Sequence, residues 1–413
     1  MVRTRILTAL LAIGAMSSAM PCFAQTPLSL RDAVERALAA RPSLKADAER
    51  VHGAEGGAEQ ARAFPNPEVT FQNENLRSGE DYWNDVDTLA YVVQPLDILG
   101  KRGRRIDAAE RTVERTRAEY EIGRWQVVRD VKLAYWTARG AQAARDLLRQ
   151  TADTFRQIVQ YHEAQLSVGA IAEQDVLRVR LEAERLQMTA NTAAVRAARA
   201  AATLLQAIGV SEPAGVTLSE PLDATPPVAP VTEAVLLERP DVRAAQAAVV
   251  EAQAKAALQD ALVRPDLSVT LGYKRTQVPS TLAGSNTVIA AVTARVPLFD
   301  RNTGNRTSAA AETRRQEQLL AAMRLAAESD LRAAVEEHEL RRADITSTLT
   351  PLRDQAAALA SISQAAYTQG GGDLLRLLDA QRTRLEADLA WVQGMVEYQQ
   401  SVVNVEAAEG LIR

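Results

Sequence analysis

The chain has 413 residues, with 48 lysines and arginines against 52 aspartates and glutamates and a formal net charge of −4. Acids and bases are interleaved and the pI is near 5.7, so there is no polyanion-binding surface and nucleic acid is excluded as a partner. Aromatic residues make up only 4% while alanine is abundant, a composition that suits long, closely packed helices rather than a globular core filled by large rings.

Residues 1–24 read as an export signal. Arg3 and Arg5 precede the apolar run "ILTALLAIGAM", and "CFAQ" offers small residues for cleavage before Gln25. Pro21 directly before Cys22, and no leucine three positions upstream of it, argue against lipidation there. Removal of Cys22 with the signal leaves a mature chain without cysteine, and so without disulfides, thiolate metal ligands or a thiol nucleophile. No later apolar run reaches the roughly 18 residues of a spanning helix, so any membrane span is expected to be made of strands.

A helix is expected from about Ser29 to Phe64, with Ser29 as N-cap and Asp32 three residues on. "PNP" ends it. Two strand-like runs follow, "PEVTF" from Pro67 and "DTLAYVVQ" from Asp87 to Gln94. The stretch "QPLDILGKRGRR" then opens a long helical pattern with Lys101, Arg102, Arg104 and Arg105, where a helix N-terminus would ordinarily favour carboxylates. No proline interrupts the chain from Pro95 to Pro213, and a continuous helix from Lys101 to Ser167 would reach roughly 100 Å. Ile106, Val113, Tyr120, Val127 and Ala134 fall seven apart, with Ala109, Thr116 and Gly123 as small partners between them. Leu181, Met188 and Val195 continue the spacing on the returning helix, a coiled-coil pattern of helices packed side by side.

Residues 213–230, "PAGVTLSEPLDATPPVAP", have five prolines and no helical period, and so form an irregular connector. The order then begins again. "RPSLKA" at Arg41 returns as "RPDVRA" at Arg239, "PEVTF" as "PDLSV" at Pro265, and "DVLR" at Asp175 as "DLLR" at Asp373, all at an offset of 198. Two copies of one unit are therefore expected, residues 25–212 and 231–413, each a helix, two strands and a long helical hairpin. In the second copy Leu267, Val269, Leu271 and Tyr273 alternate with Ser268, Thr270, Gly272 and Lys274, followed by the strand-like run Thr287 to Val296. Pro351 is expected to kink the second hairpin.

Four strands cannot close a spanning barrel, which needs at least eight; three chains would supply twelve and leave a lumen. The fold class expected is mainly α with a membrane β-barrel. Four strands per chain would contribute to a trimeric twelve-stranded barrel, and the internal duplication gives six similar units that suit a closed ring of long helical hairpins.

The twofold order together with "PNPEVTF", "QPLDILGKR", "VPLF", "LSVGAIAEQDVL" and "LLDAQRTRLEAD" resembles the TolC-like outer membrane efflux protein family over nearly the whole mature chain. Within that family "PNPE" followed by "QPLDILGKRG" is most similar to the outer membrane subunits of cobalt-zinc-cadmium type efflux systems. The resemblance implies a passive homotrimeric conduit, a twelve-stranded barrel in the cell outer membrane joined to a periplasmic helical tunnel formed by the long hairpins, completed by a periplasmic adaptor and an inner membrane transporter of the resistance-nodulation-division class. The cargo expected from it is heavy-metal cations of the cobalt, zinc and cadmium type; organic toxicants, drugs or a secreted protein are the alternative, because one architecture serves all of them. A periplasmic coiled-coil scaffold would explain the helices but not the strands.

The resemblance also implies site roles. The turns at Val168, Gly169, Ala170 and at Gln369, Gly370, Gly371 correspond to tips that dock the adaptor, although glycines also simply permit tight turns. Asp175 and Asp379 match positions of an acidic gate. Arg376 stands where a second aspartate is usual, leaving open a salt-bridged gate with Asp373 as candidate partner, or a local i, i+3 pair. Acidic rings in a pore select cations. Lys101, Arg102, Arg104 and Arg105 could reach outer membrane lipid phosphates or be merely solvated. His52, His162 and His338 are isolated and read as solvated helix residues rather than metal ligands. No cofactor, metal site or catalytic constellation is expected, and the chain is not read as an enzyme.

Overall fold

The computed structural model describes residues 27–79, 81–211, 216–224, 233–276 and 285–411; the export signal at residues 1–24 lies outside them. The element order runs twice. The first half has α1 (Leu30–Ala40), α2 (Pro42–Arg62), β1 (Glu68–Glu74), the short α3 (Tyr82–Asp85), β2 (Asp87–Leu96), α4 (Lys101–Ser167) and α5 (Glu173–Ile208). The second has a 3-10 turn at Glu233–Glu238, then α6 (Pro240–Ala261), β3 (Asp266–Thr276), β4 (Ser285–Arg295), α7 (Thr303–Asp344), a π-helical turn at Ile345–Leu349, α8 (Thr350–Thr368) and α9 (Leu374–Ala408).

The helix expected from Ser29 to Phe64 is two helices. Ser29 Oγ accepts the Asp32 N–H at 3.1 Å as anticipated, but Arg41 is extended (φ −62, ψ 120) because Pro42 clashes with a helical residue before it. Strand β2 runs through Pro95 to Leu96, two residues beyond the expected end, because Pro95 lies past the last β1 partner, Val93.

The four strands form one antiparallel sheet in the order β1-β2-β3-β4. Beneath it the helices follow the same order: α4 packs between α2 and α6, and α6 against α7. Further down, α4 packs between α5 and α9, and α9 against α8, so the row is α5-α4-α9-α8. The main core lies where these rows meet, around Val131, Tyr135, Leu204, Met395 and Val402. Among the described residues no helix is long and apolar enough to cross a membrane.

The connector is partly built into this core. Leu28 bridges Leu218 in parallel, and its N–H donates to the Thr217 carbonyl at 2.8 Å. Buried Gln142 of the first half donates to the Val216 carbonyl at 2.7 Å, and buried Gln399 of the second to the Leu222 carbonyl at 3.1 Å. Residues 216–224 thus strap the two halves together and satisfy polar side chains that would be costly to bury alone.

The heptad on α5 faces the other way from expectation. Val176, Val179, Ala183, Leu186 and Ala190 are among its buried residues, whereas Leu181, Met188 and Val195 are 64%, 69% and 66% exposed. Alanine and valine at these positions allow the close approach of α4, which the larger residues on the opposite face do not.

Candidate membrane sheet and periplasmic tips

Strand register separates two chemically different faces. Val69 opposes Val92, which opposes Leu271 and then Ala290; Phe71, Ala90, Tyr273 and Val288 form the next row. This apolar face is bare, with Val69 74%, Leu271 59% and Val288 81% exposed. The opposite face is the more polar one, with Thr70, Gln72 and Glu74, then Asp87 beside Leu89, Tyr91 and Val93, then Ser268, Thr270 and Lys274, then Thr287 and Thr293 with Ile289 and Ala291 between them. Lys274 Nζ lies 3.1 Å from Glu74 Oε2 and 3.5 Å from Asp87 Oδ2, an ion pair across the β2–β3 seam where the two halves join. At that seam Tyr91 lies over Gly272, where any side chain would clash: a Cβ would come within 2.4 Å of Tyr91 Cβ. An apolar outer row with a polar inner row is the pattern of a sheet whose one face meets lipid and whose other lines water. Both outer strands, β1 and β4, retain an unpaired edge among the described residues.

At the base of the sheet the basic cluster has protein partners, which revises the lipid reading. Lys101 Nζ is 2.6 Å from Asp266 Oδ1, with its side chain only 12% exposed. Arg105 Nε donates to the Ala61 carbonyl at 3.1 Å and its Nη2 pairs with Asp97 at 2.9 Å. Arg102 donates to the Arg62 carbonyl and lies 4.3 Å over the Phe64 ring. The two arginines complete the C-terminal carbonyls of α2, the electronegative end of that helix, and so offset their poor placement at the start of α4. Of the four, only Arg104 is exposed without a partner among the described residues, so contact with lipid phosphate would rest on it.

The two tips are built alike. The Gly169 N–H donates to the Leu166 carbonyl and Ala170 N–H to Gln165; the Gly370 N–H donates to Tyr367 and Gly371 N–H to Ala366. Each is a Schellman turn with glycine at positive φ, +74 at Gly169 and +76 at Gly370. Val168 is 78% exposed beside the first. Gly372 is needed too, since a Cβ there would meet the Tyr367 nitrogen at 2.8 Å.

The pairing considered between Asp373 and Arg376 is not formed. Asp373 instead caps α9, accepting the Leu375 N–H at 3.3 Å, and Arg376 is exposed with no ion pair among the described residues. Asp379 is exposed and Asp175 half-buried, in the first turn of α5. The bond that does join the two hairpins near the tips was missed in the sequence. His162 is 1% exposed; its Nδ1 donates to the Ile158 carbonyl at 2.7 Å, which leaves Nε2 to accept from the Tyr367 hydroxyl at 2.6 Å. Burial raises the Tyr367 pKa, with smaller contributions from Tyr161 and the charge of Asp175. His338 is likewise buried, bonded to Ser401 Oγ at 3.1 Å, so of the three histidines only His52 is solvated as expected. Solitary histidines in helices gave no sign of which neighbour would cover them. Among the described residues no group of three or more histidine, cysteine or carboxylate side chains could hold a metal ion.

A bare apolar sheet face set on helices of this length defines a class: a subunit of an outer membrane channel with a periplasmic helical conduit. The outer membrane efflux protein family model matches residues 33–210 and 231–411. The chain belongs to that family. It is 29% identical over 404 residues, 95% of this chain and 93% of the other, to the cobalt-zinc-cadmium resistance protein CzcC of Cupriavidus metallidurans. Its fold matches a crystal structure of a membrane protein from Pseudomonas aeruginosa with a TM-score of 0.77 at 21% identity, covering 92% of each chain. Crystal structures of CusC, described for transmembrane channel formation, match with a TM-score of 0.75 at 18% identity over 92% of each chain.

Proposed function

We propose that this efflux protein is a passive homotrimeric conduit for divalent heavy-metal cations of the cobalt, zinc and cadmium type. Three copies of the four-stranded sheet would close a twelve-stranded barrel, leaving no strand edge in lipid. The observation that carries the conduit is the sheet with one bare apolar face, one polar face and two open edges. The cargo rests on the similarity to a cobalt-zinc-cadmium resistance protein along 95% of the chain.

In this reading residues 25–212 and 231–413 are copies of one duplicated unit joined by the connector at 213–230. The turns at Val168, Gly169, Ala170 and at Gln369, Gly370, Gly371 dock a periplasmic adaptor, which links the conduit to an inner membrane transporter of the resistance-nodulation-division class. Asp175, Asp373, Arg376 and Asp379 face the gate as unpaired charges rather than as a salt bridge, and the His162–Tyr367 bond holds the hairpins together behind them. The metal is cargo in transit and needs no tight site.

Growth of a deletion strain on zinc, cadmium, cobalt, nickel, copper and silver, beside dyes and antibiotics, tests the cargo. Selective sensitivity to divalent metals is expected. Sensitivity to organics alone keeps the conduit and overturns the metal assignment.

A further inference from the structure

The turn between β1 and β2 is tied down at several points and still presents two large rings to the outside. Its short helix α3 is capped by Asp81, whose Oδ1 accepts the Trp83 N–H at 3.0 Å, and Val86 just beyond it is buried. The Tyr82 hydroxyl donates to Asn73 Oδ1 at 3.1 Å, an oxygen that also accepts from the Thr88 hydroxyl at 3.2 Å. Arg275 Nη2 donates to the Trp83 carbonyl at 3.2 Å, and its guanidinium stands 5.7 Å from the indole ring. Trp83 is nevertheless 65% exposed, because Tyr82 meets it edge-on, with centroids 5.4 Å apart, and leaves its face bare. Holding a turn this firmly costs conformational entropy, and the exposed indole returns no burial within the chain to offset it.

Register decides which side of the sheet the turn occupies. Asn73 opposes Thr88, Thr88 opposes Arg275, and Arg275 opposes Asn286. This row shares a face with Phe71, Ala90, Tyr273 and Val288 and lies two residues, about 7 Å, beyond them along the strands. The residues that hold α3 therefore belong to the apolar outer face, and the turn leans over the lipid side of the rim instead of the lumen. It reaches across β2 to β3, away from the open edges of β1 and β4. Every strand joins its helix at the other end, so this rim faces away from the periplasm. Charge singles out Arg275 as well. Its neighbour Lys274, on the more polar face, is met by Glu74 and Asp87, whereas Arg275 has no carboxylate partner among the described residues.

We propose that Trp83 and Arg275 form a binding site for the phosphorylated sugar headgroup of an outer-leaflet glycolipid, one site per chain on the lipid face of the barrel. A guanidinium that spends one donor on a carbonyl keeps others for a bidentate phosphate contact. The bare indole beside it offers a π face to the C–H face of a sugar ring, at the level where a membrane-spanning sheet meets headgroups. The site rests on the conduit reading above and names the lipid that seats its outer rim.

The test titrates the full-length protein in detergent with diphosphorylated lipid A, and in parallel with phosphatidylglycerol, which has a phosphate and no sugar; bound lipid is counted by native mass spectrometry. Expected is lipid A binding about tenfold tighter than phosphatidylglycerol, weakened at least about fivefold by Arg275→Gln and by Trp83→Ala. Lys274→Gln, one residue away on the other face, should change it less than about twofold. Thermal midpoints check that each variant is folded, and where Arg275→Gln is not, Trp83→Ala decides. Equal affinity for the two lipids, unchanged binding in both variants, or an equal loss in Lys274→Gln overturns the site. A nitroxide at Leu271→Cys, in the chain with Cys22 replaced by serine and reconstituted in bilayers, separates the two readings. A label buried in lipid while the site fails keeps the conduit; a label open to a water-soluble relaxing agent overturns the conduit itself.

Discussion

Arg41 and Arg239 open the same Arg-Pro step in the two halves, and the step serves one purpose in both. Each packs on the glycine that ends its half's last helix: a Cβ on Gly209 would meet Arg41 Cα at 3.0 Å, and one on Gly410 would meet Arg239 Cα at 2.9 Å. The arginine side chains differ. Arg41 is half-buried and donates to the Ala207 carbonyl at 3.3 Å. Arg239 is 3% exposed, pairs with Asp241 and Asp330, and stands 5.6 Å over the Trp125 ring of the other half. A shared backbone device has thus been given a local role in one half and an inter-half role in the other. The descending helices diverge similarly: α4 is unbroken, while α7 gives way to a π-helical turn before Pro351, with Ser347 Oγ donating to the Ala343 carbonyl at 2.6 Å. The expected kink at Pro351 is therefore a widened turn, since proline lacks the N–H that the Ser347 carbonyl would accept in a regular helix.

The largest expected effect breaks this comparison at its root. Arg239→Ala removes a buried cation and leaves half-buried Asp241 without its partner, and should cost about 3 kcal/mol, whereas Arg41→Ala should cost about 1 kcal/mol, read as denaturant midpoints in detergent. Equal losses would mean the two arginines are equivalent. The next effect concerns two helix glycines. A Cβ at Gly140 would lie 2.1 Å from Cγ2 of Val396, a stiff β-branched residue, so Gly140→Ala should destabilise by about 1–3 kcal/mol despite its better helix propensity. At Gly394 the obstacle is the mobile end of Leu349, 2.3 Å away, and Gly394→Ala should change stability by less than about 1 kcal/mol.

A smaller effect lies at the tips, where the halves are most alike. Tyr367→Phe removes the hydroxyl that His162 accepts from and should weaken the link between hairpins by about 1 kcal/mol. Single-channel recordings are expected to show more frequent opening, with tip mass and trimer yield unchanged. An unaltered opening frequency would assign the bond to stability alone.

The smallest effects are in pH and belong to the second half. Burial, then the charge of Arg342, holds the His338 imidazole below its ordinary value, against a weaker pull from Glu339. The folded chain then binds fewer protons than the unfolded one, so this contribution is intact above the ordinary imidazole value of about 6.5 and declines as pH falls below it. Burial raises the Asp388 carboxyl, against opposing pulls from Arg384 and Arg353. Its ionisation is harder in the fold, so stability falls as pH rises through the carboxylate range. Asp388→Asn should raise the thermal midpoint at neutral pH and leave it unchanged at acid pH; His338→Gln should flatten the loss between neutral and mildly acid pH.

The strands, their faces and the 67-residue α4 were legible before any coordinates. Alternation and proline spacing are local, and a period of two or 3.6 fixes which residues share a face whatever lies opposite. Positive charge at the start of α4 was visible as an anomaly, but its answer, the carbonyls of Ala61 and Arg62, lay about forty residues upstream in a helix whose end position the charge itself does not encode. The heptad of Leu181, Met188 and Val195 was equally visible and its direction was not, because an alanine-rich helix offers two apolar faces and only the packing of α4 selects one. His162 and His338 were misjudged for the same reason: burial is a property of neighbours. Sequence alone therefore determined the elements, the duplicated order and the polarity of the sheet, since these depend on contacts a few residues apart. Tertiary structure alone decided which charges pair, which stripe stays bare and which bond ties the tips, because each is set by side chains brought together from distant parts of the chain.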